Sequence, residues 1–129
     1  MGEIIKRLPD AELEVMLAVW EAGRAVNSQY LLERVGRQRS WQRGTLLTVL
    51  ARLTEKGFLA CEKQYRNNQY SARIDREAYR QSEGWAMFEK LYGSSFETLV
   101  ASLYRGRVIS KEDLSKLRAF LESAEEAET

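Results

Sequence analysis

Between Asp10 and Gly23 the apolar residues Leu13, Met16, Leu17 and Trp20 recur at i, i+3, i+4 and i+7, the spacing of one face of an α-helix. Asp10 is placed to cap the start, Glu12 lies in the first turn, and Gly23 supplies a stop. Ala25 and Val26 form a short extended link. Asn27 or Ser28 can cap a second, short helix whose narrow apolar face is Tyr30, Leu31 and Val35 before Gly36. Ser40 is placed to cap a third helix with a buried face of Leu46, Val49, Leu50 and Leu53, ended by Gly57. The period then changes from helical to two. Leu59 and Cys61 on one strand, and Tyr70, Ala72 and Ile74 on another, alternate as half-buried strands should. Asn67-Asn68 is the expected turn, since asparagine tolerates positive φ, and Cys61 is expected to be a small core residue.

After Ile74 the texture is wholly helical. A helix from about Asp75 to Tyr92 carries Tyr79, Trp85, Met87, Phe88 and Leu91, with Gly84 weakening its middle. Ser94 and Glu97 have the spacing of a capping box for the next helix, whose stripe is Phe96, Leu99, Val100, Leu103 and Tyr104. Ser110 and Asp113 repeat the device before Leu114, Leu117, Phe120, Leu121 and Ala124. The predicted fold is mainly α with a small β-hairpin wing. Residues 1–74 form a winged helix-turn-helix and residues 75–129 a three-helix domain. Those three helices carry more apolar surface than they can bury among themselves, so a second subunit is the natural cover. The expected dimerisation residues are Phe88, Leu91, Phe96, Leu99, Val100, Leu103, Leu114, Leu117 and Leu121.

Charge sharpens the outline. Up to Ile74 there are 12 Lys/Arg against 8 Asp/Glu, a net +4; from Asp75 there are 8 against 11, a net −3. Arg34 to Arg73 holds nine basic residues and only two acidic ones, Glu55 and Glu62. A basic helix followed by a basic hairpin points to DNA. With 129 residues, 44% of them hydrophobic, the chain can bury a core. No run approaches the ~20 apolar residues of a membrane span, and MGEIIKRLPDAE lacks the apolar region of a secretory signal, so no membrane insertion and a cytoplasmic location are expected. One cysteine and no histidine leave no expected metal site or cofactor, and remove the commonest general acid and base. The chain is not expected to be an enzyme.

On the third helix, at ~100° per residue, Gly44, Thr48, Ala51 and Glu55 fall opposite the buried face, flanked by Thr45 and Arg52 on one side and Leu47 on the other. Gln42 and Arg43 occupy the first turn, the part of such a helix that reaches base edges. Arg43 suits a bidentate contact to guanine, Gln42 one to adenine, and Leu47, Thr48 and Ala51 suit thymine methyl groups. Gly44 permits close backbone approach. Arg37 and Arg39 before the helix, and Lys63, Arg66, Asn67 and Asn68 in the wing, are expected phosphate contacts. Trp41 has two readings, packing the helix start or touching DNA.

The segments LPDAELEVMLAVW, SWQRGTLLTVLARLTEKGFL, LYGSSFETLVASL and ISKEDLSKLRAFL resemble the penicillinase and methicillin-resistance repressors (BlaI/MecI), related to the copper-responsive CopY repressors, over nearly the whole chain. The resemblance implies a dimeric repressor on a palindromic promoter operator of double-stranded DNA. In the antibiotic-response members it also implies a membrane sensor metalloprotease that leads to cleavage inside the dimerisation region. The family's scissile Asn-Phe pair falls here on Ser102-Leu103, a departure that puts both the protease and the β-lactam signal in question. Leu47 stands where the best-known members carry arginine. The paired cysteines of the copper branch are absent near the C-terminus, which argues against copper sensing.

Two other readings stay open from the sequence: a ligand-responsive PadR-like repressor, with Trp85 and Tyr92 the candidates for its pocket, and a winged-helix module that binds protein.

Overall fold

The computed structural model describes residues 5–64 and 66–128. Their order is α1 (Asp10–Ala22), β1 (Val26–Asn27), α2 (Ser28–Leu31), a π-helical turn (Leu32–Gly36), α3 (Arg37–Arg39), α4 (Arg43–Glu55), β2 (Leu59–Gln64), β3 (Asn67–Ala72), α5 (Arg76–Tyr92), α6 (Phe96–Arg105) and α7 (Lys111–Glu128). The chain divides into two compact units, Met1–Glu83 and Gly84–Thr129.

In the first unit α1 buries Glu12, Val15, Met16 and Val19. The expected face was turned toward Leu13, Met16, Leu17 and Trp20; instead Leu17 is 45% exposed. The helix accepts a charged residue into its inner face because Glu12 has a partner there, Lys56, and the face rotates accordingly. Asp10 begins the helix without a side-chain cap. Gly23, at φ +66°, ends it by donating its N–H to the carbonyls of Val19 and Trp20.

Val26 is a strand residue and not merely an extended link: Val26 pairs with Tyr70 and Asn27 with Gln69. The sheet therefore has three antiparallel strands in the order β1-β3-β2. The Asn27 side chain then caps α2 by accepting from the Tyr30 N–H at 2.8 Å. The rod does not stop at Gly36 but continues through the π turn to Arg39. Ser40 ends it in the left-handed region at φ +57°, so it does not cap the next helix. Gln42 precedes α4 in extended conformation with no side-chain cap.

Asn67 and Asn68 lie in β3, opposite Gln64 and Lys63, so they are strand and not the turn, whereas Arg66 is a turn residue. Cys61 faces Tyr70 in the register but is exposed, as is Ala72. Their partners across the hairpin, Tyr70 and Leu59, are the members of these pairs that enter the core. The core joins Leu8, Val15, Met16, Val19, Val26, Leu31, Val35, Leu46, Leu50, Leu53, Phe58, Leu59 and Tyr70 to Tyr79 of α5. Tyr79 lies 5.7 Å from Trp20 and 5.9 Å from Phe58, centroid to centroid, and its hydroxyl accepts from the Leu8 N–H at 3.0 Å.

In the second unit, Phe88 is buried and stacked on Phe96 at 4.4 Å. Ser95, and not Ser94, caps α6, accepting from the Thr98 N–H at 3.2 Å, because Ser94 takes a left-handed conformation. The box at α7 forms as expected: Ser110 N–H donates to Asp113 at 2.8 Å and Asp113 N–H to Ser110 Oγ at 3.1 Å. The backbone and hydroxyl hydrogen bonds from Ser110 hold the Asp113 carboxyl below its ordinary range. That contribution is present above the ordinary carboxylate range and lost as pH falls through the lowered value. Leu91, Phe96, Val108, Phe120 and Leu121 are 63%, 70%, 70%, 66% and 51% exposed. Among the described residues no helix is long and apolar enough to cross a membrane.

Candidate nucleic-acid interface

The rod Ser28–Arg39 and helix α4 make the two arms of a helix-turn-helix, and the β2–β3 hairpin lies against α4 as its wing. Leu46, Val49, Leu50 and Leu53 of α4 are buried as anticipated. That fixes which residues look outward. Gln42, Arg43, Gly44, Thr45, Leu47, Thr48, Ala51 and Arg52 are all exposed. Leu47, at 39% exposure, is an apolar side chain in the middle of a polar surface. The Thr48 hydroxyl donates to the Gly44 carbonyl at 3.1 Å, which satisfies its polar atom locally.

Gly44 is the second residue of α4, in the first turn, where glycine is a weaker helix former than alanine. A Cβ built there would meet nothing within 4 Å, so no packing within the chain demands the glycine. The space it leaves open is on the outer face.

Arg37, Arg43, Arg52, Lys63 and Arg66 make no ion pair among the described residues. Five guanidinium and ammonium groups thus face outward uncompensated along the arms and the wing, with Asn67 and Asn68 exposed beside Lys63 and Arg66. Arg39 differs. It donates to Glu14, and its guanidinium carbon lies 5.5 Å from the centroid of the Trp41 ring. Trp41 is half-buried against the core, so the packing half of its two readings is present.

Tyr70, which the alternation placed in the sheet, is buried there between Val26 of β1 and Cys61 of β2. Burial raises its phenol above the ordinary value, while hydrogen bonding with Asn68 and the charge of Arg43 act in the opposite direction. Sequence reasoning also missed Glu12 and Glu14 as partners of the helix-turn-helix. The available signal for Glu12 was a charge at the i, i+3, i+4, i+7 register of Val15, Met16 and Val19.

In the second unit, of the expected dimerisation residues, Leu91, Phe96 and Leu121 are exposed, Leu99, Val100, Leu103, Leu114 and Leu117 half-buried, and Phe88 buried. Tyr104, Val108 and Phe120 of the same unit are exposed as well. Ser102 is exposed and Leu103 half-buried inside α6. Their carbonyls accept from the N–H groups of Gly106 at 3.0 Å and Val108 at 2.9 Å. The peptide bond between them is therefore helical. Trp85 is 44% exposed and lies 6.2 Å from Phe88; Tyr92 is half-buried.

Residues 8–123 match the penicillinase repressor family. An uncharacterised 16.5 kDa protein in the ptsI 3′ region of Latilactobacillus sakei is 32% identical over 94% of this chain and 82% of its own length. The penicillinase repressor of Bacillus licheniformis is 27% identical over 92% of this chain and 91% of its own. The solution structure of monomeric B. licheniformis BlaI in complex with the blaP half-operator is similar at a TM-score of 0.50, with 33% identity over 58% of this chain and 90% of that one.

Proposed function

The chain belongs to the penicillinase repressor family of BlaI/MecI-type DNA-binding transcriptional repressors, and from that premise we propose that it acts as a homodimer on a palindromic promoter operator. The first compact unit is the DNA-binding domain and the second the dimerisation domain. On this proposal the protein works in the cytoplasm, as a regulator and not as a catalyst.

The observation that carries this proposal is the outward face of α4 beside the wing. It offers one base-reading cation, Arg43, a small apolar patch of Leu47, Thr48 and Ala51, and an uncompensated basic surround. Arg43 reads guanine, Gln42 adenine, and the apolar patch thymine methyl groups. Arg37, Lys63 and Arg66, with Asn67 and Asn68, hold the phosphates and set register without reading sequence. The open space at Gly44 lets the duplex approach the α4 backbone.

Release would act on the linkage between the two copies. Cleavage between Ser102 and Leu103 by a membrane sensor metalloprotease requires the last turn of α6 to open first, since both carbonyls are engaged there. The side chains at this pair differ from the Asn-Phe of the antibiotic-response members, so the inducing signal of this chain is a separate question from its DNA binding.

Selection from a pool of random duplexes tests the reading. The protein should enrich a two-fold symmetric sequence and bind it with an affinity that falls steeply as salt rises. Enrichment of no sequence, or binding indifferent to salt, would sink it in favour of a protein-binding module. Arg66→Ala should weaken the selected duplex and random duplexes alike and make the salt slope shallower by about one.

A further inference from the structure

Glu12 is the one buried charged residue of the first unit among the described residues, 5% exposed. It lies 2.5 Å, Oε1 to Nζ, from Lys56, the residue that closes α4 and whose N–H donates to the Arg52 carbonyl at 2.9 Å. Two residues further along α1, Glu14 accepts from Arg39. Arg39 in turn stacks over Trp41, the residue just before Gln42 leads into α4. The Trp41 N–H is itself fixed, donating to the Gly36 carbonyl at 2.8 Å. One carboxylate of α1 thus meets the residue that closes α4, and another meets Arg39, four residues before α4 begins.

An apolar ridge such as Leu46, Val49, Leu50 and Leu53 supplies attraction but little direction, because hydrophobic burial is indifferent to small rotations of a helix. Ion pairs behave in the opposite way. A buried pair contributes little stability relative to a well-packed apolar pair, but it tolerates misplacement badly. The buried Glu12–Lys56 pair and the more exposed Glu14–Arg39 pair, on either side of a helix of 13 residues or about 20 Å, together constrain its roll and tilt. Base reading is the property most sensitive to these, since a bidentate contact needs its fork aligned with the base edge.

We infer that Glu12 and Glu14 are positioning residues for sequence recognition, and that Arg39, expected from sequence to contact phosphate, is a joint between α1 and the start of α4. This rests on the reading of α4 as the helix that meets the bases. The pairs hold the helix at the angle that presents Arg43 to the groove, and random-sequence binding, which needs only charge, does not depend on them.

The test uses the full chain and two duplexes, the one that the parent selects from a random pool and one of unrelated sequence. The double variant Glu12→Leu/Lys56→Met removes both buried charges together, and its thermal melting should stay near that of the parent. Its affinity for the selected duplex should fall about ten-fold while affinity for the unrelated duplex stays within about two-fold. Glu14→Gln sits on the exposed side of α1, where folding is not at stake, and should lower the ratio of the two affinities in the same sense with an unchanged salt slope. It decides alone if the double variant does not fold. Unchanged discrimination in either folded variant overturns the inference. So does a Glu14→Gln protein that binds every duplex more tightly with a steeper salt slope, which would put Arg39 on phosphates. A parent that selects no sequence would instead be a failure of the underlying reading of α4.

Discussion

Leu121→Asp is expected to yield a folded monomer whose affinity for the operator is at least about 100-fold below that of the parent. Leu121 is 51% exposed on α7, beside Phe120 at 66%, so a carboxylate there meets water in the isolated chain and costs the fold little. Buried against a second subunit, the same carboxylate would be an unpaired charge in an apolar contact, at a cost of several kcal/mol. Folding and assembly are therefore separated by this position. Leu103, half-buried in α6, does not separate them, because Leu103→Asp would strain the chain as well as the contact. Sedimentation velocity reports the assembly, and titration of a single half-site reports the winged helix. The expected pattern is loss of dimer and loss of full-operator affinity with half-site affinity retained. A Leu121→Asp protein that still sediments as a dimer would place the subunit contact elsewhere.

The second large effect belongs to Arg43. It stands exposed in the first turn of α4 and pairs with no carboxylate among the described residues. A guanidinium so placed matches the two acceptors of a guanine edge. Arg43→Ala should cost about 1–3 kcal/mol per half-site on the selected sequence and should relax the preference at one base pair of each half-site. A repeat of the selection with the variant would show it as a single degenerate column. Equal losses on selected and unrelated duplexes would reduce Arg43 to a phosphate contact of the kind assigned to Arg66.

The parts of the structure that were legible in the sequence are those where period and burial agree. The face Leu46, Val49, Leu50 and Leu53 lies in the core as its period indicates, since no charged residue of α4 enters that face, and with it went the outward set from Gln42 to Arg52. The Ser110–Asp113 box was equally plain, since both partners are local. Misreadings came where a distant partner decides. Glu12 belongs inside only because Lys56, 44 residues away, meets it, and this turned Leu17 outward. Val26 is a strand because Tyr70 pairs with it. Ser40 and Ser94 have the composition of caps, but both adopt positive φ, and Ser40 closes the preceding helix instead. The Asn67-Asn68 turn failed by register: pairing of Gln64 with Asn67 consumes the asparagines as strand.

Two copies of a short outward helix, each presented by its own winged helix and tied through α6 and α7, should read two half-sites on one face of the duplex. Spacing tests that claim most directly. Affinity would be measured for the selected operator and for versions with about half a helical turn, roughly 5 base pairs, and about a full turn, roughly 10 base pairs, inserted at its centre. The half-turn insertion should reduce affinity to that of an isolated half-site, and the full-turn insertion should recover part of the loss. Equal affinity for all three duplexes would contradict the account, because it would mean that each winged helix binds without regard to its partner.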